Sequence, residues 1–167
     1  DVKAILLSHA HPAHAGGMAA LQRLSGAPAY ARRAAADVLR TGKLSADDPQ
    51  AKSKSAPTPK VSRVWNVADD QLLGVGSIRL RAIATPGHTP GGTTWTWDAC
   101  EGDKCLAFVY ADSLSPVASP GFQYGATVAG GQSAAQQLQA SMDRISRLRC
   151  DVLVTVHPEA SQFLERI

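Results

Sequence analysis

The stretch Ser8–Gly17, SHAHPAHAGG, places His9, His11 and His14 within six positions and follows them with a glycine pair. This spacing suits metal binding. Neutral imidazoles favour zinc, and a catalytic zinc typically keeps three protein ligands and one open position for water. Zinc lowers the pKa of that water to about 7, which makes a nucleophile available at neutral pH. Two further histidines stand alone, His88 in TPGHTPGG and His157 in VTVHP. A lone histidine is ordinarily a core or surface residue. A triplet this tight is harder to explain that way in a chain with five histidines in all. His9, His11 and one distant histidine would complete a three-ligand site, and His14 with another would make half of a second.

The histidines follow expected strands, in LLSHAHPAH, AIATPGH and LVTVH. Loops at strand ends are where α/β folds gather ligands and catalytic groups. VKAILL reads as a buried strand, GGMAALQRLSG as a helix closed by Gly26, APAYA as a short strand and RRAAADVLRTG as a helix stopped at Gly42. Residues 43–60 turn polar and rich in proline and serine, which predicts an exposed loop long enough to be functional or disordered. RVWNV, SIRLRAIATPG, GTTWTWDA and CLAFVYADS read as strands separated by turns. In IRLRAIA, Ile78, Leu80, Ala82 and Ala84 share one face, and Arg79, Arg81 and Ile83 the other. Leu138, Met142, Ile145 and Leu148 recur at helical spacing behind a possible cap, Ser133, and the strand DVLVTVHP follows. Strands and helices mixed in this order predict an α/β layered fold, a single domain over 1–167.

Seventeen basic and 14 acidic residues give a net charge of +3. The basic residues are scattered with few aromatics among them, which argues against nucleic acid as a partner. No apolar run reaches the roughly 20 residues of a membrane span. The chain opens on DVKAILLSHAH, just ahead of a buried strand, so the lack of a visible targeting segment carries no information. CEGDKC, with Cys100 and Cys105, fits either a disulfide across a small loop or two reduced cysteines beside a turn. Cys150 is then odd, free and buried or lacking its partner.

SHAHPAHAGG, TPGHTPGG and VTVHP, in this order, resemble the blocks of the metallo-β-lactamase superfamily, whose first signature is His-x-His-x-Asp-His. Within it, the chain most resembles the third subclass of class B β-lactamases. YADSLSP, Tyr110 to Pro116, supports that subclass, which has serine where other members have a cysteine or a bridging aspartate. The resemblance runs from residue 1 to about Ser161. It implies an αββα sandwich without part of its N-terminal half and its C-terminal end, and therefore a sheet with an uncovered face or edge. It implies that His9, His11 and His88 hold a first zinc and that His14 and His157 hold a second. Ser113 and Ser115 would orient water and a substrate carboxylate. Cys100 and Cys105 would form a disulfide, and Cys150 would pair with a cysteine near the family's C-terminus. The implied reaction is attack of zinc-held hydroxide on the carbonyl of a small-molecule β-lactam, with the second zinc stabilising the anionic nitrogen. The implied setting is the periplasm or secretion, and the implied role antibiotic resistance.

One departure matters most: Ala13 stands where the signature has its aspartate. Loss of even a residue that supports a ligand lowers metal affinity or activity about 10–100-fold, so loss of a ligand should do at least as much. The second zinc site is left with two neutral histidines, and Pro12 fixes φ just ahead of the gap. Asp112 is expected not to compensate: neighbouring strand residues point to opposite faces, so if Ser113 faces the metals, Asp112 does not. Tyr110, Trp95 and Trp97 are expected to pack within the sheets. The sequence thus predicts a zinc-dependent β-lactam hydrolase with one intact site and weakened activity. Its rivals are another hydrolase of the same fold, a thioesterase or lactonase, against which Ser113 argues, and a degenerate zinc-binding domain without catalysis.

Overall fold

In the computed structural model, residues 1–127 and 131–166 are described. Strand β1 (Ile5–Leu6) leads into a short helix, α1 (Pro12–Ala15), and then α2 (Met18–Ser25). Strand β2 (Ala29–Arg32), helix α3 (Arg33–Thr41) and strand β3 (Val64–Val67) complete the first half. Gly26 and Gly42 end α2 and α3 in the left-handed region, at φ 69° and 76°, where a side chain would be strained. The three strands form a parallel sheet in the order β1-β2-β3. Parallel neighbours need long crossovers, and α1 with α2, then α3 with the 43–60 stretch, supply them.

The second half is a five-stranded sheet in sequence order. Strands β4 (Leu72–Val75), β5 (Ile78–Ala84), β6 (Thr93–Glu101) and β7 (Lys104–Ala111) run antiparallel. Helix α4 (Ala134–Ile145) then returns the chain so that β8 (Val152–Thr155) lies parallel to β7. Pro158–Ser161 forms a 3-10 turn and Phe163–Arg166 a final short helix, α5.

Alternation along the strands sorts the side chains into layers. Ala29 and Ala31 of β2 face α2 and α3, in a core with Met18, Val38 and Leu39. Tyr30 of β2 points the other way, into a second core with Leu6, Val67, Leu80, Ala82 and Trp95. Residues of both sheets meet there, so the sheets lie face to face. Leu80 and Ala82 share the inner face, as their spacing predicts, and Arg79 and Arg81 on the opposite face are exposed. Helix α4 packs on the outer side of the second sheet, at the end of β5. Its Ser141 hydroxyl donates to Pro86 O at 2.6 Å, and Arg144 pairs with Asp69 and Asp70 at 2.7 Å each. Gly87, at φ 128°, lies so close to α4 that a Cβ would sit 2.5 Å from Leu138 Cα. Ser133 caps α4 in a reciprocal box with Gln136. The order helix, sheet, sheet, helix is the αββα arrangement that the sequence resemblance implies.

Residues 43–60 contain no helix or strand and are exposed along most of their length, but Asp48, Pro49 and Thr58 are buried. Cys100 and Cys105 face each other across the β6–β7 hairpin and are disulfide-bonded. Cys150 is exposed, not buried. No helix among the described residues is long and apolar enough to cross a membrane.

Candidate metal centre

The histidines gather where strands of the two sheets end. His9 follows β1, His88 follows β5 and His157 follows β8. The His9 loop is pinned to the second sheet. Thr93 N donates to Ser8 O at 2.9 Å, and the buried Trp95 indole donates to Leu7 O at 3.0 Å. His11 ends that loop as the residue before α1, whose first position is Pro12, where a missing N–H is harmless. The TPGHTPGG turn fits tightly around His88. A Cβ on Gly92 would lie 2.3 Å from Thr85 O and 2.6 Å from Asp112 Oδ2, so only glycine lets the turn approach the end of β7.

His9, His11 and His88 are all buried, and one nitrogen from each lies within 4.8 Å of the others. Each ring has its second nitrogen occupied. His9 Nδ1 lies 2.6 Å from Asp112 Oδ1, His11 Nε2 lies 3.1 Å from Asp48 Oδ1, and His88 Nδ1 lies 2.8 Å from Ser115 O. These acceptors fix three N–H donors and leave His9 Nε2, His11 Nδ1 and His88 Nε2 as lone pairs. His9 Nε2 is buried without a hydrogen-bond partner among the described residues. An unpaired nitrogen buried in this way is unfavourable unless something coordinates it. Three imidazoles, each steered by an outer acceptor, form a donor set suited to a metal ion, and their chemistry would fit zinc.

The electrostatics also favour neutral ligands. Burial, with the neighbouring His88, His11 and His157, pulls His9 down from 6.5 to about 2, against the opposing pull of Asp48. Burial also lowers His88, although its hydrogen bond to Ser115 O acts in the other direction. Burial pushes Asp112 up to about 7, against the nearby histidines and a backbone hydrogen bond. A cation at the centre would restore the Asp112 carboxylate, which would then accept from His9 Nδ1–H as a charge-assisted hydrogen bond.

His14 and His157 form a second pair, with ring centres 4.9 Å apart, and His14 lies 4.0 Å from His9. Burial and the histidines around it lower His14 to about 4. Ala13 is exposed on α1 and offers no ligand. Glu159, itself exposed, reaches His157 Nδ1 at 3.2 Å. Among the described residues, His9, His11 and His88 form the one group of three metal-capable side chains that comes together.

One expectation needs correction. Asp112 is not an ordinary strand-end residue facing away from the histidines, because its carboxyl lies against His9. Strand β7 ends at Ala111, so pleat alternation does not reach 112 and 113, and both side chains turn inward. The 43–60 loop, exposed along most of its length, delivers Asp48 to His11. Ser113 is buried, with a hydroxyl that has no partner among the described residues. Ser115 is exposed and meets the site through its backbone carbonyl. Trp95 is core, Trp97 stacks on Phe108, and Asp98 pairs with Arg149 at 2.6 Å on the surface. Asp48, Pro49, Ser119 and Phe122 line a cleft of about 260 Å³ between the 43–60 loop and the segment after β7.

The family model described as the metallo-beta-lactamase superfamily matches residues 1–102. The chain belongs to that superfamily. Among solved metallo-β-lactamases, it is 45% identical to the Rm3 metallo-beta-lactamase, with a TM-score of 0.93, over 99% of this chain and 61% of that one. It is 41% identical, with a TM-score of 0.92, to MEM-A1, a subclass B3 metallo-beta-lactamase from a soil metagenome library, over 99% and 62%. The MIM-2 metallo-beta-lactamase is 46% identical at a TM-score of 0.85, over 99% and 58%. The present chain therefore spans about three-fifths of the length of these relatives.

Proposed function

We propose that this chain is the core of a zinc-dependent β-lactam hydrolase of the B3 type, with one competent metal site and a second that lacks its carboxylate. The observation that carries the reading is the trio of buried histidines, each with one nitrogen tied to an outer acceptor and the other turned to a common centre. Bound there, zinc would act as a Lewis acid and make a water-derived nucleophile available near neutral pH. The chain's own residues set up that chemistry. Asp112, Asp48 and the Ser115 carbonyl hold the three rings in fixed tautomers. Ser113, next in the chain to Asp112, offers a buried hydroxyl with no partner among the described residues for orienting water or a substrate carboxylate. The cleft beside Asp48 and Ser119 has room for part of a small molecule.

His14 and His157 would hold the second zinc only weakly, because two neutral imidazoles do not offset a dication's charge. Stabilisation of the departing β-lactam nitrogen is the step that suffers, and weak turnover follows. Ala13 also favours a second reading, in which the chain binds one zinc without catalysis. A periplasmic or secreted setting agrees with the Cys100–Cys105 disulfide, which persists in oxidising compartments, and the role would be antibiotic resistance.

Hydrolysis of a chromogenic cephalosporin in zinc-containing buffer, by the chain and by its Ala13→Asp variant, tests the proposal. A weak or silent parent and an active variant support a β-lactamase limited at one ligand. Two folded, zinc-loaded proteins that both stay silent favour the non-catalytic reading. Equal turnover in both contradicts the account of Ala13.

A further inference from the structure

The 43–60 stretch has the composition of a solvated loop, yet it buries a carboxylate. Asp48 is 4% exposed. Its Oδ1 takes two contacts, His11 Nε2 at 3.1 Å and the Gln50 backbone N–H at 2.8 Å. A buried carboxylate is unfavourable unless paired, so the seat of this loop depends on His11 keeping its proton on Nε2. The loop is fastened elsewhere as well. Thr58 Oγ1 donates to Ala10 O at 2.9 Å, and Pro49 O accepts from Ser119 N at 2.9 Å. Between these anchors, Lys52 and Lys54 are exposed.

We propose that Asp48 is a positioning residue for His11, and that through this one hydrogen bond metal loading and the seating of the 43–60 loop are coupled. The inference rests on the reading of His9, His11 and His88 as a zinc site. With Nε2–H committed to Asp48, His11 presents Nδ1 to the metal in a fixed tautomer and ring orientation. A metal on Nδ1 polarises the ring and makes Nε2–H a stronger donor to the carboxylate. Each event therefore favours the other, and linkage makes the coupling reciprocal: zinc holds the loop down, and the loop tightens zinc.

Two readouts test this without reference to turnover: zinc affinity by competition with a chromophoric chelator, and the rate of trypsin cleavage after Lys52 and Lys54 with and without saturating zinc. In the parent chain, zinc should slow that cleavage about tenfold, and Asp48→Ala should lower zinc affinity about 10–100-fold. In Asp48→Ala the protection at saturating zinc should shrink to less than about twofold, and Asp48→Asn, which keeps an acceptor but loses the charge, should recover only part of both effects. An Asp48→Ala variant with parental zinc affinity and protection overturns the coupling and leaves the zinc site standing, as does equal loss in the Ala and Asn variants. A parent that binds no zinc overturns both. If Asp48→Ala does not fold, the parent decides alone: zinc binding that leaves cleavage after Lys52 and Lys54 unchanged refutes the proposal.

Discussion

Replacing Asp112 by asparagine should move folding stability and metal affinity in opposite directions. Asp112 is 4% exposed, and only its Oδ1 is paired, with His9 Nδ1 at 2.6 Å. Burial holds its carboxyl at about 7 in the metal-free fold, against an ordinary value of 3.8. The raised value means that the metal-free fold keeps this proton where the unfolded chain has lost it. Stability from this group therefore falls as pH rises from about 4 to about 7 and is level above that. Full ionisation in the fold costs on the order of 4 kcal/mol, and the penalty at pH 5 is about 2 kcal/mol. Asparagine keeps the shape and the acceptor but never ionises. Metal-free Asp112→Asn should therefore be more stable than the parent at pH 8, with a melting temperature on the order of 10 °C higher, and the gain should shrink by about half at pH 5. With zinc the sign reverses. The neutral amide loses the charge-assisted bond to His9, and zinc affinity should fall about 10–100-fold. Chemical denaturation at the two pH values and chelator competition read both effects. A metal-free variant less stable than the parent at pH 8 would refute the reasoning, because Asp112 and His9 would then be a stabilising ion pair before any metal arrives.

Gly92→Ala should destabilise the fold by about 3 kcal/mol or abolish it, since its Cβ would meet Thr85 O at 2.3 Å, and thermal melting reads this directly. Arg144→Gln removes the bonds to Asp69 and Asp70 and should lower stability by about 1 kcal/mol at neutral pH. Burial alone would raise the Asp69 pKa, but the Arg144 and Ala84 hydrogen bonds outweigh it and hold it below 3.8. The Arg144 contribution is thus present above about pH 4 and lost as pH falls through the lowered value, and denaturation at pH 7 and at pH 3 should show the difference between parent and variant shrinking. Ser133→Ala breaks the capping box of α4 and should cost about 1 kcal/mol, measured as a shift in the urea midpoint with unchanged slope.

Much of this architecture is written in local pattern. Gly26 and Gly42 close their helices where the periodic apolar residues stop, and Ser133 with Gln136 marks the start of α4. The face shared by Leu80 and Ala82 follows from alternation alone. The histidines were legible because spacing and strand-end position both mark them. The carboxylates behind them were not. Asp112 is not legible, because pleat alternation stops at Ala111 and does not extend over 112 and 113, where backbone direction is set by packing against Gly92 and Thr94. Asp48 sits in a lysine- and serine-rich stretch beside another aspartate, Asp47, and nothing local separates the buried residue from the solvated one. Its role comes from the loop's return to Ala10 through Thr58, a contact between residues 48 positions apart that no local window contains.

The most direct test is zinc content after equilibrium dialysis against submicromolar free zinc, for the parent and for His9→Ala, His11→Ala and His88→Ala. The account predicts one zinc per parent chain and none in each variant. Two per parent chain would mean that His14 and His157 hold a metal without any carboxylate from position 13. A single zinc that survives the loss of His9, His11 or His88 would place the metal elsewhere and contradict the account.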